Sequence, residues 1–178
     1  MTDAAAPTDI SDQLGQILPY LRRFSRAMTG SQSSGDRFAA AALEAILADR
    51  SVLSGMEVKT GVFRVLYRIW ASAGAPVETG ENGLKARAQK HLARLTEDCR
   101  EALLLHTIEG FGFGEIAQIL EVSQGEAEEL VKIARREMAD VVSGAVMIIE
   151  DEAIIAMDLE SIVSDMGHRV PGVARTRD

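Results

Sequence analysis

The sequence predicts a mainly α protein: two small helical modules followed by a short β-α-β segment. Three observations lead there. Apolar residues return at helical spacing through most of residues 10–142. One stretch rich in Gly, Gly74 to Gly83, interrupts that periodicity and reads as a linker. Beyond Ser143 the pattern becomes a continuous apolar, β-rich run. The expected division is therefore 1–73, linker 74–83, 84–143 and 144–178.

In the first module Leu14, Ile17, Leu18 and Leu21 share a helical face that Phe24 and Met28 extend, with Gly30 as the stop. Ser31-Gln32-Ser33-Ser34-Gly35 reads as a loop, and Asp36 as the cap of an Ala-rich helix through Leu47. After a break at Ser54-Gly55, Val58 to Ala73 forms a third helix with Val62, Val65, Leu66, Ile69 and Trp70 on one face. In the second module Leu84 to Leu95 makes one helix. Thr96 caps the next, with Glu97 and Asp98 in its positive first turn, and Gly110 ends it. A short helix from Gly114 to Leu120, a tight Glu121-Val122-Ser123 turn and a long helix to Val142 follow. Ser123 and Glu126 form an S-x-x-E capping box at the start of that long helix. The layout is that of a helix–turn–helix.

The last segment changes period. Ala145 to Ile149 is a strand ended by Glu150-Asp151-Glu152. Ile154 to Met166 is a helix with Ile155, Leu159, Ile162, Val163 and Met166 on one face, closed by Gly167. Val170 to Val173, interrupted by Pro171, is a second strand, so the unit opens a parallel α/β arrangement.

Composition excludes several classes. With 47% apolar and 26% charged residues in 178, the chain is an ordinary globular one. No apolar run approaches the roughly 20 residues of a membrane helix. The acidic stretch Met1 to Asp12 lacks a signal-peptide pattern, and the one cysteine, Cys99, excludes a disulfide framework or a cysteine-cluster zinc site. A cytoplasmic chain without a membrane partner is expected. His91, His106 and His168 are scattered, and no nucleophilic triad or Gly-rich phosphate loop can be assembled, so a non-enzyme is expected. Phe111 and Phe113 read as core plugs under a helical corner; Arg22-Arg23 and Arg135-Arg136 read as solvated faces or ion pairs. The net charge of −8 divides into −1 over 1–83, −3 over 84–143 and −4 over 144–178. No segment carries the positive balance that a phosphate backbone rewards.

Residue detail adds a resemblance. Leu95-Thr96-Glu97-Asp98-Cys99-Arg100-Glu101-Ala102-Leu103-Leu104-Leu105, Glu109-Gly110-Phe111, Glu115-Ile116-Ala117 and Ala134-Arg135-Arg136-Glu137 resemble region 4 of extracytoplasmic-function sigma factors, in the same order. Leu18-Pro19-Tyr20-Leu21-Arg22-Arg23-Phe24 and Val65-Leu66-Tyr67-Arg68-Ile69-Trp70 are similar to sigma region 2. The departures carry more information than the match. The first turns of the recognition-position helix hold Glu126, Glu128 and Glu129, with no basic residue until Lys132. These carboxylates would face an anionic groove, so DNA binding reads as lost there. Ala71 to Val77 likewise lacks the polar and basic residues a sigma factor uses on promoter DNA.

Val146-Met147-Ile148-Ile149-Glu150-Asp151-Glu152 is similar to the first strand of a response-regulator receiver, where Glu150 and Asp151 match the metal-binding pair. A sigma-like module followed by a receiver resembles the PhyR-type response regulators of the bacterial general stress response. That resemblance implies an anti-anti-sigma factor that sequesters a NepR-type anti-sigma factor by sigma mimicry, without binding nucleic acid. It also implies a histidine kinase and Mg²⁺ for the intact receiver. This chain supplies only two strands and one helix of it, with no phosphoacceptor. Asp158, Asp165 and Asp178 are misplaced for that role. No metal is therefore expected in this chain, and partner binding is expected to need no phosphodonor. Because anti-sigma segments bind as amphipathic helices in apolar grooves, Leu66, Ile69, Trp70, Leu130 and Ile133 are the expected partner-binding residues. The alternative is a sigma factor that binds promoter DNA with RNA polymerase.

Overall fold

The computed structural model describes residues 10–78, 89–96 and 98–175. In its first unit, residues 1–134, helix α1 (Ile10–Thr29) runs through Pro19 and buries Leu14, Ile17, Leu21, Phe24 and Met28, the expected stripe. Helix α2 (Gln32–Ala48) begins four residues before the expected Asp36 cap. Ser31 caps it instead, its hydroxyl accepting from the Ser34 N–H at 3.4 Å. The Ser/Gly composition that suggests a loop serves close packing: a Cβ on Gly35 would come within 2.6 Å of the Arg26 backbone. Asp36 is thereby freed from capping. Its carboxylate accepts two hydrogen bonds from Arg22 (both 3.0 Å) and two from Arg26 (2.9 and 2.7 Å), which ties α2 to α1.

A short 3₁₀ turn (Arg50–Leu53) leads to helix α3 (Val58–Ser72), capped by Glu57, whose carboxylate accepts from the Thr60 N–H at 3.0 Å. The expected linker starts as a folded return. The Glu78 N–H donates to Thr29 O at 2.7 Å, and the Trp70 indole donates to Pro76 O at 3.2 Å. Residues 79–88, which include the rest of that linker and the first half of the expected Leu84 to Leu95 helix, lie outside the described residues; 89–92 are helical.

Helix α4 (Cys99–Thr107) does not start from a Thr96 cap. Asp98, at φ 63°, turns the chain directly before Cys99, so the helix begins later than the capping pattern suggests. Glu97 lies outside the described residues. Helix α5 (Phe113–Leu120) and helix α6 (Gln124–Val142) complete the helix–turn–helix, joined through Glu121 at φ 60°. The capping box is present. The Glu126 N–H donates to Ser123 Oγ (3.2 Å), and the Ser123 N–H donates to Glu126 Oε2 (2.8 Å). Ala127, Val131 and Ala134 of α6 are buried with Ile116, Ile119 and Leu120 of α5. The sole cysteine, Cys99, is fully buried at the start of α4.

The second unit, residues 135–178, contains the expected β-α-β with much shorter strands. Strand β1 (Ile148–Ile149) pairs in parallel with β2 (Val173–Ala174), and an isolated bridge joins Ala145 to Arg169. Helix α7 (Ala153–Asp165) lies between them in sequence, followed by Gly167 at φ 82°. The face expected to be buried is open: Ile155, Leu159, Ile162 and Met166 are exposed, and Ala156 is the buried residue of α7.

The Asp36 bridge gives the first prediction. Hydrogen bonds from Arg22 and then Arg26 hold its carboxyl well below the usual carboxylate range. A depressed folded-state pKa contributes stability above the unfolded value, lost as pH falls through the folded one. Asp36→Asn therefore lowers the melting temperature at pH 7, and its gap from wild type shrinks in melts taken below about pH 4.

Candidate functional site

The two helical halves of the first unit meet across an aromatic seam. Phe63 of α3 lies 5.3 Å from Phe24 of α1 and 5.0 Å, edge-on, from Phe111 of the α4–α5 corner. All three rings are buried. Around them, donors from the N-terminal half meet acceptors from the C-terminal half. Arg23 forms a bidentate pair with Glu109 (Nε to Oε1 2.9 Å, Nη2 to Oε2 2.8 Å) and also donates to Ile108 O. Lys59 donates to Glu109 O at 3.2 Å and lies 4.4 Å from the centre of the Phe111 ring. Arg64 and Arg68 pair with Glu121, and the Tyr67 hydroxyl donates to Asp98 at 2.6 Å. The seam is thus apolar at its centre and ionic at its rim.

Trp70 extends the seam. Its ring lies 5.4 Å from the guanidinium of buried Arg100, whose Nε donates to Glu101 at 2.9 Å. Burial pushes the Glu101 carboxyl up while Arg100 pulls it down, and burial is the larger influence.

The expected partner-binding residues divide accordingly. Leu66 is fully enclosed and Trp70 nearly so, which makes them core side chains of the seam. Ile69 is half-buried and lines a groove of about 280 Å³ with Ala45, Val52, Met56 and Val65, rimmed by Arg64 and Arg68. Leu130 and Ile133 are half-buried on α6 and are not part of that groove's lining.

The recognition-position glutamates have local roles. Glu126 is exposed and engaged in the capping box, whose Ser123 hydroxyl and N–H hold its carboxyl below the usual range. Glu128 pairs with Lys132 at 2.8 Å, and Glu129 lies 3.9 Å from the same ammonium. One lysine therefore serves two carboxylates, and the first turns of α6 keep a negative balance.

Glu150 and Asp151 follow β1 directly. Glu150 Oε1 accepts from the Glu152 N–H at 3.0 Å, which occupies one of the few oxygens available. Among the described residues no group of three or more His, Cys, Asp or Glu is placed to hold a metal ion. Mg²⁺ is commonly held by one or two carboxylates with waters completing its octahedron, so Glu150 and Asp151 could supply part of such a shell. No helix among the described residues is long and apolar enough to cross a membrane.

Sequence reasoning identified the Glu109-Gly110 element but missed its partner. The seam donors Arg23, Lys59, Arg64 and Tyr67 lie 31 to 86 residues from the acceptors that they reach. The doubled Arg22-Arg23 on α1 was the available signal. Its two side chains leave the helix for different partners, Asp36 and Glu109.

The fold has close relatives. Residues 14–67 match the family described as the Sigma2 domain of PhyR, and residues 92–140 match the sigma-like domain of the response regulator PhyR. The phyllosphere-induced regulator PhyR of Methylorubrum extorquens is 42% identical over 163 residues, covering 91% of this chain. The chain spans 61% of that relative's length. Anti-anti-sigma factor PhyR of Bartonella quintana, solved in complex with the anti-sigma factor NepR, is 36% identical with a TM-score of 0.78 over 94% of this chain and 65% of that one. The PhyRSL–NepR complex of Sphingomonas sp. Fr1 is 38% identical with a TM-score of 0.65, covering 75% of this chain and 88% of that one.

The cap at the head of α6 can be tested directly. Ser123→Ala removes one member of the reciprocal pair and lowers the unfolding free energy by about 1 kcal/mol, read from the denaturant midpoint at unchanged m-value.

Proposed function

The chain belongs to the PhyR family of response regulators, and from that premise we propose that its sigma-like part captures a NepR-type anti-sigma factor and does not read DNA. One observation carries the second half of this reading. The helix in the recognition position opens on Glu126, Glu128 and Glu129, and Lys132 is the cation that pairs with two of them. DNA-binding helices use those turns for phosphates and base edges, where each basic contact gains by releasing counterions. Carboxylates there lose that gain and add repulsion. A protein partner places no such demand. An amphipathic helix needs an apolar groove with polar rims, and the groove beside Ile69, with Arg64 and Arg68 on its edge, has that character.

Within this reading residues 1–73 act as the region 2-like half, 74–83 as a linker, 84–143 as the region 4-like half, and 144–178 as the opening part of a receiver. The chain works by binding rather than by catalysis, in the cytoplasm where sigma factors are regulated. Ile69, Leu130 and Ile133 are the accessible members of the expected contact set; Leu66 and Trp70 are buried in the seam.

The experiment pairs two titrations of the 178-residue chain. A NepR-type protein titrated calorimetrically gives a saturable complex, and promoter DNA in a gel shift at about 100 mM salt gives none. Glu128→Lys together with Glu129→Lys raises DNA affinity at low salt by an order of magnitude or more, since each reversal adds a phosphate contact. Tight, salt-sensitive DNA binding by the unmodified chain would instead establish the sigma-factor alternative.

A further inference from the structure

The corner between α4 and α5 is held by the opposite half of the unit more than by its own. The Glu109 side chain has no solvent exposure, and both its oxygens accept from Arg23 of α1, 86 residues away. The same guanidinium donates to Ile108 O at 3.0 Å, and Lys59 of α3 donates to Glu109 O. Gly110, at φ 72°, makes the tight turn that presents these carbonyls, and Phe111 drops from it onto Phe63. The other rim contacts differ. The Arg64 and Arg68 pairs with Glu121 are partly exposed, with Glu121 at 44% of its side-chain area, and exposed pairs contribute little. A carboxylate with no exposure depends on its partner far more, because losing the cation leaves an uncompensated buried charge.

Leu105, Ile116, Ile119, Ala127 and Val131 of the region 4-like half are buried, and α5 packs on α3 as well as on α4. To this non-directional packing the Arg23 contact adds a fixed orientation of that half against α1 and α3.

We propose that Arg23 and Glu109 are positioning residues: their bidentate pair, with the Glu109 carboxylate enclosed and the Arg23 side chain half exposed, fixes the α4–α5 corner, and with it the orientation of the α5–α6 pair, in the register that partner capture needs. This rests on the anti-sigma reading above for the identity of the partner, though not for the geometry. A partner helix that contacts both halves meets a preformed surface while the pair is closed. When it is open, the partner must first select the closed state, and apparent affinity falls by that fraction.

The test uses the full 178-residue chain with spin labels on cysteines introduced at exposed Ser33 on α2 and Gln118 on α5, the buried Cys99 being left in place. Wild type gives one narrow distance. Arg23→Gln adds a second, longer population at unchanged helical content by circular dichroism, and Arg23→Lys, which keeps the charge but cannot form the two-pronged pair, gives a distribution between the two. If Arg23→Gln loses helical content, Glu109→Gln decides by the same measurement, since it breaks the pair without leaving a buried charge. A wild-type distance distribution in both neutral variants overturns the proposal. In parallel, a NepR-type protein binds Arg23→Gln about tenfold or more weakly, with partial recovery in Arg23→Lys. Broadened distances with undiminished binding overturn the claim on register. A wild-type chain that fails to bind the NepR-type protein overturns the anti-sigma reading, while the distance measurement still decides the role of the pair.

Discussion

Phe63 holds the first unit together. Its ring touches both halves, with Phe24 on one side and Phe111 on the other. A buried Phe removes on the order of 150–250 Å² from water, so each ring contributes several kcal/mol at about 25 cal/mol per Å². The exposed ion pairs on the rim contribute about 0–1 kcal/mol each. Free energy of association between the halves therefore comes from the rings. The charges do something else: aromatic contacts tolerate sliding and rotation, whereas a bidentate Arg23–Glu109 pair accepts one orientation.

This division of labour matches what was legible in the sequence. The stripe of α1 is present largely as its apolar spacing predicts, because burial of one helical face is a local property of the chain. That of α3 is present in part, with Val62, Leu66 and Trp70 buried, Val65 and Ile69 lining the groove, and the buried Phe63 outside the expected face. The Ser123–Glu126 box was readable for the same reason, with all its atoms within four residues. Errors arose where tertiary packing overrode a local signal. Ser31 to Gly35 has loop composition, yet the missing Cβ of Gly35 lets α2 approach α1, so the segment is helical. Thr96 offers a cap that the left-handed Asp98 pre-empts. The seam itself was hidden, since nothing in a run of sequence says that an arginine on α1 reaches a glutamate 86 positions later. The same applies to the groove. Helical spacing put Leu66, Ile69 and Trp70 on one face but could not say which would be covered, and the covering residues come from the other half.

The helix–turn–helix illustrates how a scaffold and its surface can part company. Its buried positions, Ile116, Ile119, Ala127, Val131 and Ala134, answer to packing alone and keep the geometry of the corner. Its exposed first turns answer to whatever approaches from outside, and they carry negative charge that Lys132 offsets only in part. Apart from Glu126, which also caps the helix, geometry and charge are thus set by different residues. A fold that places a helix for insertion in a groove of DNA can face a protein with no change to its core.

The placement of Cys99 has a practical corollary. Its sulfur is sealed at the head of α4, directly after the left-handed Asp98 and directly before the buried Arg100–Glu101 pair. A thiol in that position reacts with a water-borne reagent only through excursions that expose it. The chain thus contains its own clock for opening: the rate at which the thiol is consumed at high reagent concentration reports how often α4 comes away from its neighbours, with no label added and no residue changed.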